Sequence, residues 1–480
     1  MNNPHRTTRI LLLSTYDLGH QPLSLAWPLA LLRQAGLDAT AIDLSLDAFD
    51  EAQARAADLV IIATPMLTAL RLGLAAAERV RATNPAAHIC FWGLYAGLNA
   101  DYLLIGRADS IVAGEGESVL VELALALAAG ADPATVPGLG LRGRAAPPVL
   151  ERPTLPVPDR TNLPELSRYA RYMHNGLASV AGYVEATRGC LHTCRHCPIV
   201  PIYSGRFFIV PAEVVQADVR QQVAAGAEHI TFGDPDFLNG PGHALKVARA
   251  LHAEFPRLTW DFTTKVEHIL KHRALFPEFA ALGATFVTSA VESLSPLVLD
   301  RLAKGHSPED VPAALAILDA AGLALRPTLV AFTPWTTLDD YLAVIDFVEA
   351  HGLQQHIPPI QLAVRLLVPP GSPLTAAPDA AQWLGPLDPA DLGYRWTHPD
   401  PRMDALYAAV SARVAEAETR EELPVSTYAA LRALALTAAG RPVVPAAKRG
   451  RLRPAPPALS ENWFCCAEPN LAQLNLIQAL

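Results

Sequence analysis

Three cysteines set close together constrain this chain more than any other feature. Cys190, Cys194 and Cys197 form a Cys-x3-Cys-x2-Cys triplet within the segment Thr-Arg-Gly-Cys-Leu-His-Thr-Cys-Arg-His-Cys-Pro. Three thiolates hold three corners of a [4Fe-4S] cluster and leave the fourth iron without a protein ligand. An open position on a metal marks a place for chemistry, as it does at catalytic zinc.

Zinc is the alternative metal for such a triplet. Structural zinc takes four ligands, commonly from two Cys-x2-Cys pairs, and this chain lacks the second pair. His192 and His196 would complete a zinc set, although both lie in the same short loop. The softness of three thiolates and their spacing favour the iron–sulfur cluster.

The composition indicates a globular protein of two or three domains. The chain has 480 residues, 51% of them hydrophobic, and a net charge of −9, which argues against a nucleic-acid-binding surface. No apolar run is long enough to span a bilayer, and the first residues do not resemble a secretory signal. Six cysteines in so long a chain do not form a disulfide framework. We therefore expect a cytoplasmic protein that binds neither nucleic acid nor membrane.

Short apolar runs alternate with helical patterns along the first part of the chain. This alternation predicts a doubly wound parallel sheet, and hence a Rossmann-like α/β domain over residues 1–142. The predicted strands are residues 9–14, 38–43, 58–63, 88–92 and 110–112.

A proline-rich segment, residues 143–178, is predicted to be a linker. The strand pattern then resumes over residues 179–375 with six strands, which predicts a (β/α)6 partial barrel. We predict a helical region for residues 376–480. The six strands are placed at residues 184–188, 228–232, 259–264, 284–289, 324–330 and 359–366.

Residues 180–375, with the cysteine triplet after the first barrel strand, resemble the radical S-adenosylmethionine (SAM) family. The resemblance implies that SAM chelates the open iron of the cluster and is cleaved after transfer of one electron. It also implies an external electron donor such as flavodoxin or ferredoxin.

The first domain resembles the cobalamin-binding domains that precede many radical SAM barrels. The matching segments are the loop 16–22 and the Ala-Gly-Glu-Gly-Glu motif at 113–117. The Asp-x-His-x-x-Gly motif of domains that ligate cobalt through histidine is absent, and so is a dinucleotide-binding glycine fingerprint. Two interpretations stay open: a cobalamin site, or a domain that has lost its cofactor and caps the barrel.

The same resemblance implies SAM contacts at the ends of the barrel strands. Gly233-Asp234 occupies the place of the family's Gly-Gly-Glu-like turn, with Asp236 as a competing candidate and a helix N-cap as the structural alternative. Glu292-Ser293 matches a Glu-Ser pair that contacts SAM in relatives.

Two arginines are further candidates for the site. Arg326 and Arg365 lie on predicted barrel strands, where a guanidinium would pair with the SAM carboxylate or an anionic substrate. Either residue could equally be a solvated charge.

The second distinctive motif is the adjacent pair Cys465-Cys466 in Cys-Cys-Ala-Glu-Pro. It resembles the tail of a radical SAM group that includes the enzyme of arsinothricin biosynthesis. Soft thiolates select soft partners, so the pair suits a thiophile such as arsenite. A hydrogen-atom donor, a fourth cluster ligand or a buried structural pair are the alternatives.

Together these features predict a radical SAM enzyme that acts on a small molecule. The tail resemblance implies transfer of the 3-amino-3-carboxypropyl group of SAM to trivalent arsenic held by Cys465 and Cys466. A cobalamin-dependent radical SAM methyltransferase is the alternative within this chemistry. A non-catalytic protein that binds metals or thiophiles is the alternative outside it.

Overall fold

The computed structural model describes residues 8–145, 147–446 and 449–461. An N-terminal sheet of six strands has the order β2-β1-β3-β4-β5-β6. The first five strands are parallel, and β6 is antiparallel to β5. The strands are β1 (Arg9–Ser14), β2 (Asp38–Asp43), β3 (Leu59–Ala63), β4 (His88–Trp92), β5 (Ser110–Val112) and β6 (Gly140–Leu141).

Helices cover both faces of this sheet, which confirms the predicted α/β fold class. Residues Ile10 to Leu13 are almost fully buried because their side chains alternate between two apolar clusters, one on each face. The helices are α1 (Leu23–Gln34), α2 (Glu51–Ala56), α3 (Leu67–Thr83), α4 (Leu94–Leu98), α5 (Ala100–Leu104) and α6 (Glu117–Ala128).

A second sheet of seven strands has the order β14-β13-β12-β11-β8-β7-β17 and forms the partial barrel. The strands from β8 to β14 are parallel, whereas β7 and β17 extend one edge in antiparallel fashion. The strands are β7 (Arg171–His174), β8 (Leu177–Val184), β11 (His229–Phe232), β12 (Thr259–Thr263), β13 (Ala284–Glu292), β14 (Ala324–Leu329) and β17 (Ala458–Leu459).

Eight α-helices of the described barrel region follow or precede these strands. The longer ones pack their apolar faces against the outer face of the sheet, in the largest hydrophobic core. They are α7 (Val200–Tyr203), α8 (Ala212–Ala224), α9 (Pro241–Glu254), α10 (Val266–Lys271), α11 (Phe276–Ala281), α12 (Pro296–Leu302), α13 (Asp310–Ala321) and, as an eighth that closes the region, α14 (Leu338–Ala350).

Two predicted barrel strands differ from the observed ones. The first strand lies seven residues earlier than predicted, because Thr187–Gly189 (β9) pairs instead with Phe207–Ile209 (β10). The sixth prediction, residues 359–366, begins as a 3-10 helix, Pro359–Ala363, since a proline cannot donate to a ladder. Only a single parallel bridge, between Phe332 and Arg365, remains of that strand.

The C-terminal region combines a hairpin, two helices and an extended strap. The hairpin is β15 (Leu384–Asp388) with β16 (Gly393–Trp396), and the helices are α15 (Pro401–Thr419) and α16 (Pro424–Ala438). Residues 449–461, which we call the C-terminal strap, contain β17. Within the described ranges, no helix combines the length and apolar character that crossing a bilayer requires.

Candidate functional site

One cavity lies between the two sheets and is lined by both. It contains about 1950 Å³ free of protein atoms, counting its mouth toward solvent. The barrel contributes the cysteine loop and the carboxyl ends of its parallel strands. The N-terminal sheet contributes Asp17, Thr64, Gly93 and Gly114, which follow β1, β3, β4 and β5. The carboxyl ends of the parallel strands of both sheets therefore face the cavity. This is the edge at which α/β folds bind ligands.

The cysteine loop is held by hydrogen bonds on both sides. The strands β9 and β10 flank it as an antiparallel pair. The N–H of Cys190 donates to the carbonyl of Arg206 at 3.0 Å. The side-chain oxygen of Asn239 accepts from the N–H of Leu191 at 3.1 Å. The loop thus presents all three cysteines to the cavity.

The donor set of this loop fits an iron–sulfur cluster. Cys190 and Cys194 are buried and Cys197 is partly exposed. Burial raises the pKa of Cys190 to about 12, so a thiolate there requires a cation that binds sulfur. Cys90, the remaining cysteine of the described residues, lies on β4 inside the N-terminal sheet. Three thiolates with one open iron are what the sequence predicts.

Glu292 lies beside the cysteine loop at the end of β13. Its backbone has a φ of +65°, in the left-handed region, where the register of β13 and β14 is irregular. Its Oε1 accepts from Nζ of Lys304 at 3.2 Å and lies 3.3 Å from Nε2 of His196. Burial opposes the charge of Glu292, but Lys304 and His196 together outweigh it and lower the pKa to about 2. All three side chains line the cavity, as the prediction for Glu292 requires.

Gly233 lines the cavity, whereas Asp234 lies behind its wall. The two carboxylate oxygens of Asp234 accept from the N–H of Ala186 at 2.9 Å and from Oγ1 of Thr187 at 2.6 Å. Burial raises the pKa of Asp234 to about 7. The side chain of Asp234 thus holds the chain that leads into the cysteine loop, and its contact with SAM stays a prediction.

Asp236 is also buried behind the cavity wall. Its Oδ1 accepts from the N–H of Leu238, the N-cap interaction that the sequence offered as the alternative to SAM contact. Its Oδ2 lies 3.4 Å from Nε2 of His192 and 3.0 Å from Nδ1 of His268. Despite burial, these two imidazoles hold the pKa of Asp236 below its usual range.

Two imidazoles and a carboxylate are a familiar metal set, but the surroundings argue against a cation at His192, Asp236 and His268. Nζ of Lys265 lies 3.2 Å from Nδ1 of His192, so that nitrogen accepts a hydrogen bond from the ammonium. The other nitrogen of His192 then carries the ring proton and faces Asp236. We interpret this group as a hydrogen-bond network that supports the loop.

Ser293 and the two candidate arginines lie outside the cavity lining, a different place from the predicted one, and their contacts with SAM or substrate stay predictions. The hydroxyl of Ser293 accepts from the N–H of Ser295. Arg326 lies inside the barrel over the ring of Phe286, with Nη1 donating to the carbonyl of Pro457 at 3.4 Å. Its position within β14, rather than at the end of that strand, explains the difference.

Arg365 belongs to the contact between the barrel and the C-terminal helices. Its Nη1 donates to Asp404 at 2.9 Å, and its guanidinium stacks on Trp396, 3.6 Å from the ring centroid. These partners give Arg365 a structural role, and its pairing with an anionic ligand stays a prediction.

Arg188 is a residue whose importance the sequence did not reveal. Its Nη1 lies 2.8 Å from Glu115 and 2.6 Å from Glu117, both in the Ala-Gly-Glu-Gly-Glu motif after β5. Glu115 also accepts from the hydroxyl of Tyr203 at 2.7 Å. The carboxylate of Glu185 lies 3.5 Å from Nε of the same arginine. The motif predicted to contact a cofactor therefore also joins the two sheets through a buried ionic cluster.

The loop after β1 provides the polar groups at the other side of the cavity. Asp17 lines the cavity, and burial together with repulsion from Asp43 raises its pKa to about 7. His20 instead stacks on Tyr183 of the barrel, with ring centroids 4.3 Å apart. The β1 loop thus offers the cavity a carboxyl group and no imidazole.

The edge of the N-terminal sheet fits a large ligand with amide groups, such as cobalamin. Trp92, only 3% exposed, is among the residues that line the cavity, and its buried indole N–H has no hydrogen-bond partner among the described residues. A buried donor of this kind calls for an acceptor on a ligand. Asp17 and Thr64 supply acceptors at the same edge.

Cys465 and Cys466 lie outside the described residues. The described chain ends at Glu461, whose Oε1 accepts from the hydroxyl of Tyr16 at 2.7 Å. Tyr16 immediately precedes the cavity-lining Asp17.

The family of the barrel follows from a direct comparison. Residues 184–348 match the model of the Radical SAM superfamily. This range contains the cysteine triplet and the strands β11 to β14. The barrel is therefore a radical SAM domain, for which [4Fe-4S] and SAM are the cofactors.

Curated relatives extend the comparison beyond this domain. The chain is 24% identical over 323 residues to a hopanoid C-3 methylase of Methylococcus capsulatus, which covers 66% of the chain and 62% of the relative. It is 24% identical over 246 residues to an uncharacterized methyltransferase of Pyrococcus horikoshii, covering 50% and 52% of the two proteins. The chain thus spans less than two thirds of the length of these relatives.

Solved structures share the architecture of both sheets. The cobalamin-dependent SAM radical enzyme OxsB, with aqua-cobalamin and SAM bound, has a TM-score of 0.69 at 14% identity, covering 86% of this chain and 67% of OxsB. The radical SAM methyltransferase TsrM of Kitasatospora setae, with tryptophan and a SAM analogue bound, has a TM-score of 0.65 at 17% identity, covering 85% and 89%. At these identities the likeness establishes the fold.

Proposed function

We propose that this protein is a cobalamin-dependent radical SAM methyltransferase that acts on a small molecule. The observation that carries the proposal is the shared cavity, because the cluster cysteines and the strand ends of the N-terminal sheet line one space. The methylases among the relatives and the cobalamin-bound structural neighbours support the same reading. It replaces aminocarboxypropyl transfer as the leading hypothesis.

In this proposal, different residues of the chain bind the cluster and line the space beside it. Cys190, Cys194 and Cys197 hold the cluster, and Gly233 lines the same cavity next to Tyr183. Lys304 and Glu292 form a neutral pair next to the cluster, so neither adds a net charge to the site. When bound, the cluster supplies one-electron reduction of SAM and cobalamin supplies a carrier for a methyl group.

The opposite wall of the cavity positions the second cofactor. Asp17, Thr64 and the indole N–H of Trp92 are the polar groups that its amide side chains would meet. The rest of this wall is apolar, with Leu18, Met66 and others excluding water from the space between the cofactors. A flavodoxin or ferredoxin is the expected electron donor.

Product analysis tests the proposal. Protein reconstituted anaerobically with iron, sulfide and cobalamin, then supplied with SAM, a reductant and candidate acceptors, should retain about one corrinoid per chain and form S-adenosylhomocysteine. A Trp92→Phe variant, which removes the unpartnered N–H, should retain less corrinoid while its iron content stays unchanged. Full activity in protein free of corrinoid would reject cobalamin dependence.

Transfer of a 3-amino-3-carboxypropyl group to trivalent arsenic is the second candidate. The observation that favours it is the position of Glu461, four residues before the cysteine pair and in contact with the β1 loop of the cavity. The same assay separates the candidates, because this reaction releases methylthioadenosine rather than S-adenosylhomocysteine. Formation of methylthioadenosine only with arsenite present would favour it over methyl transfer.

A further inference from the structure

The basic side chains that line the cavity already have acidic partners. Among the described lining residues, every lysine and arginine is paired. Lys304 lies 3.2 Å from Glu292, and Lys265 lies 3.2 Å from Glu267. Arg188 contacts three carboxylates. An anionic group of a substrate would therefore meet no free cation on this part of the chain.

Glu185 is the acid of the Arg188 cluster that faces the cavity. Nη1 of Arg188 lies 2.8 Å from Glu115 and 2.6 Å from Glu117, whereas its Nε lies 3.5 Å from Glu185. The side chains of Glu115 and Glu117 are 0% and 2% exposed. That of Glu185 is 21% exposed and lines the cavity. One arginine among three carboxylates leaves an excess of acid, and Glu185 presents it to the cavity.

The other neighbours of Glu185 do not supply a second cation. Burial raises the pKa of Glu185 to about 8, although Arg188 opposes the rise. Asp234, Glu115 and Asp17 add to the rise by charge repulsion. A positively charged group beside the carboxyl would favour its ionised form. A ligand cation would therefore provide the charge that the surrounding chain lacks.

Tyr183 offers a second acceptor beside Glu185. It lies two residues earlier, lines the same cavity and is only 7% exposed. No hydrogen bond within the described chain uses its hydroxyl, and a Cβ on Gly233 would collide with that oxygen. Burial and the charges of Glu185 and Asp17 raise the pKa of this phenol. A carboxylate and a hydroxyl are acceptors that suit the several N–H donors of an ammonium group.

We propose that Glu185 binds a positively charged nitrogen of the substrate, with the hydroxyl of Tyr183 as a second acceptor, so that the methyl acceptor is an amine-bearing small molecule. This inference rests on the proposed function, since it names the substrate class of the same cavity. An ion pair is stronger in a site that excludes water than in bulk water. Glu185 thus selects amines over carboxylates and phosphates of similar size.

Three probes with one carbon skeleton and different charges test the selectivity: 3-phenylpropylamine, 3-phenylpropanol and 3-phenylpropionate. Equilibrium dialysis against anaerobic holoprotein that carries cluster and corrinoid, without reductant, gives the Kd of each probe. The amine should bind about tenfold more tightly than the alcohol, and the carboxylate should bind most weakly. Glu185→Gln should remove this preference at unchanged iron and corrinoid content. Glu254→Gln, which removes an acid from an exposed pair with Arg220, is the matched control and should keep it.

Proton release distinguishes a direct ion pair from a structural role of Glu185. Near pH 7 its carboxyl is mostly protonated before the amine binds, because its pKa is about 8. The ammonium should ionise it and release about one proton per bound amine. Calorimetry in two buffers of different ionisation enthalpy counts these protons. In Glu185→Gln the count should fall close to zero.

Equal binding of the amine and the alcohol, tighter binding of the carboxylate, or no binding of any probe would overturn the proposal. Loss of SAM retention in Glu185→Gln would also overturn it, because the carboxyl would then serve SAM. The binding measurement requires no turnover. Protein that retains no corrinoid or forms no S-adenosylhomocysteine rejects the proposed function, whereas loss of charge selectivity rejects only the amine site.

Discussion

At the scale of single residues, a buried carboxyl group with a neighbouring cation of its own has a lowered pKa, and one without a cation has a raised pKa. Glu292 has a compensating cation in Lys304, and its pKa falls to about 2. Asp17 has only the weak donor Ser24, and its pKa rises to about 7. Both line the cavity. The same cavity therefore contains a carboxylate that stays ionised and a carboxyl group that is protonated below neutral pH.

Replacing Glu292 with Gln should strongly destabilise the protein. The change leaves the buried ammonium of Lys304 without its anion, at a cost of about 3–5 kcal/mol. The free energy of unfolding in urea measures this loss. The double variant Glu292→Gln, Lys304→Met should recover most of it, because no unpaired charge remains. Equal stability of the single and double variants would contradict the assignment of the pair.

Replacing Asp17 with Asn should stabilise the protein in a pH-dependent manner. The pKa of Asp17 is raised in the folded state, so the folded protein binds the proton more tightly than the unfolded chain. Its contribution to stability is full below about pH 4 and is lost as the pH rises through 7. Asn imitates the protonated form, and the melting temperature should rise by about 2–4 °C at pH 8 and little at pH 5. Asp300→Asn, at an exposed position, should show no such dependence.

At the scale of elements, the segment between β8 and β9 sets the position of the cysteine loop. Asp234 accepts hydrogen bonds from Ala186 and Thr187 in this part of the chain. The strands β9 and β10, which flank the cysteine loop, pair with each other. Sequence reasoning identified the loop but assigned Asp234 to the cofactor. An acidic residue at a strand end satisfies either role, and only the hydrogen-bond partners distinguish them.

Asp234→Asn should weaken the attachment of the cluster without unfolding the barrel. An amide accepts through one oxygen, so one of the bonds to Ala186 and Thr187 is lost, at about 1–3 kcal/mol. Iron and sulfide retained after anaerobic gel filtration should fall, while the circular dichroism spectrum stays unchanged. Thr187→Val, which removes the partner hydroxyl, should have a smaller effect of the same kind. Full iron retention in both variants would contradict this role.

At the scale of the whole molecule, a buried ionic cluster joins the two sheets. Arg188 lies two residues before Cys190 and binds Glu115 and Glu117, which follow β5 of the other sheet. The Glu185 carboxyl shares this arginine, and burial raises its pKa to about 8. One cation thus compensates several acids, which makes the contact dependent on a single side chain.

Arg188→Met should allow the N-terminal sheet and the barrel sheet to unfold in separate transitions. Removal of the cation leaves the acidic groups buried together and should cost about 3–5 kcal/mol. Differential scanning calorimetry should then resolve two transitions in place of one, and proteases should cleave within residues 147–170. Arg107→Met, at an exposed arginine, is the control. A single unshifted transition in Arg188→Met would show that the sheets do not depend on this contact.

Strands that are buried on both faces were predicted more accurately than a strand that is partly exposed. The five parallel strands of the N-terminal sheet were predicted within one residue, because strands covered on both faces are continuous apolar runs. The first barrel strand, Leu177–Val184, escaped prediction because its first half is exposed or only half buried, and small and polar residues interrupt the pattern. The domain boundaries and the individual site residues stay predictions.

The amino-acid sequence by itself determined the cysteine loop, the fold class of both sheets and the cluster chemistry. Those conclusions depend on residues that are neighbours in the chain, whose spacing is printed in the sequence. Only the tertiary structure decided that the two sheets share one cavity, that Arg188 joins them, and that Arg326 and Arg365 stay outside. These contacts connect residues that are tens to hundreds of positions apart in the chain. The spacing of neighbouring residues does not indicate which buried charged side chains pair with each other.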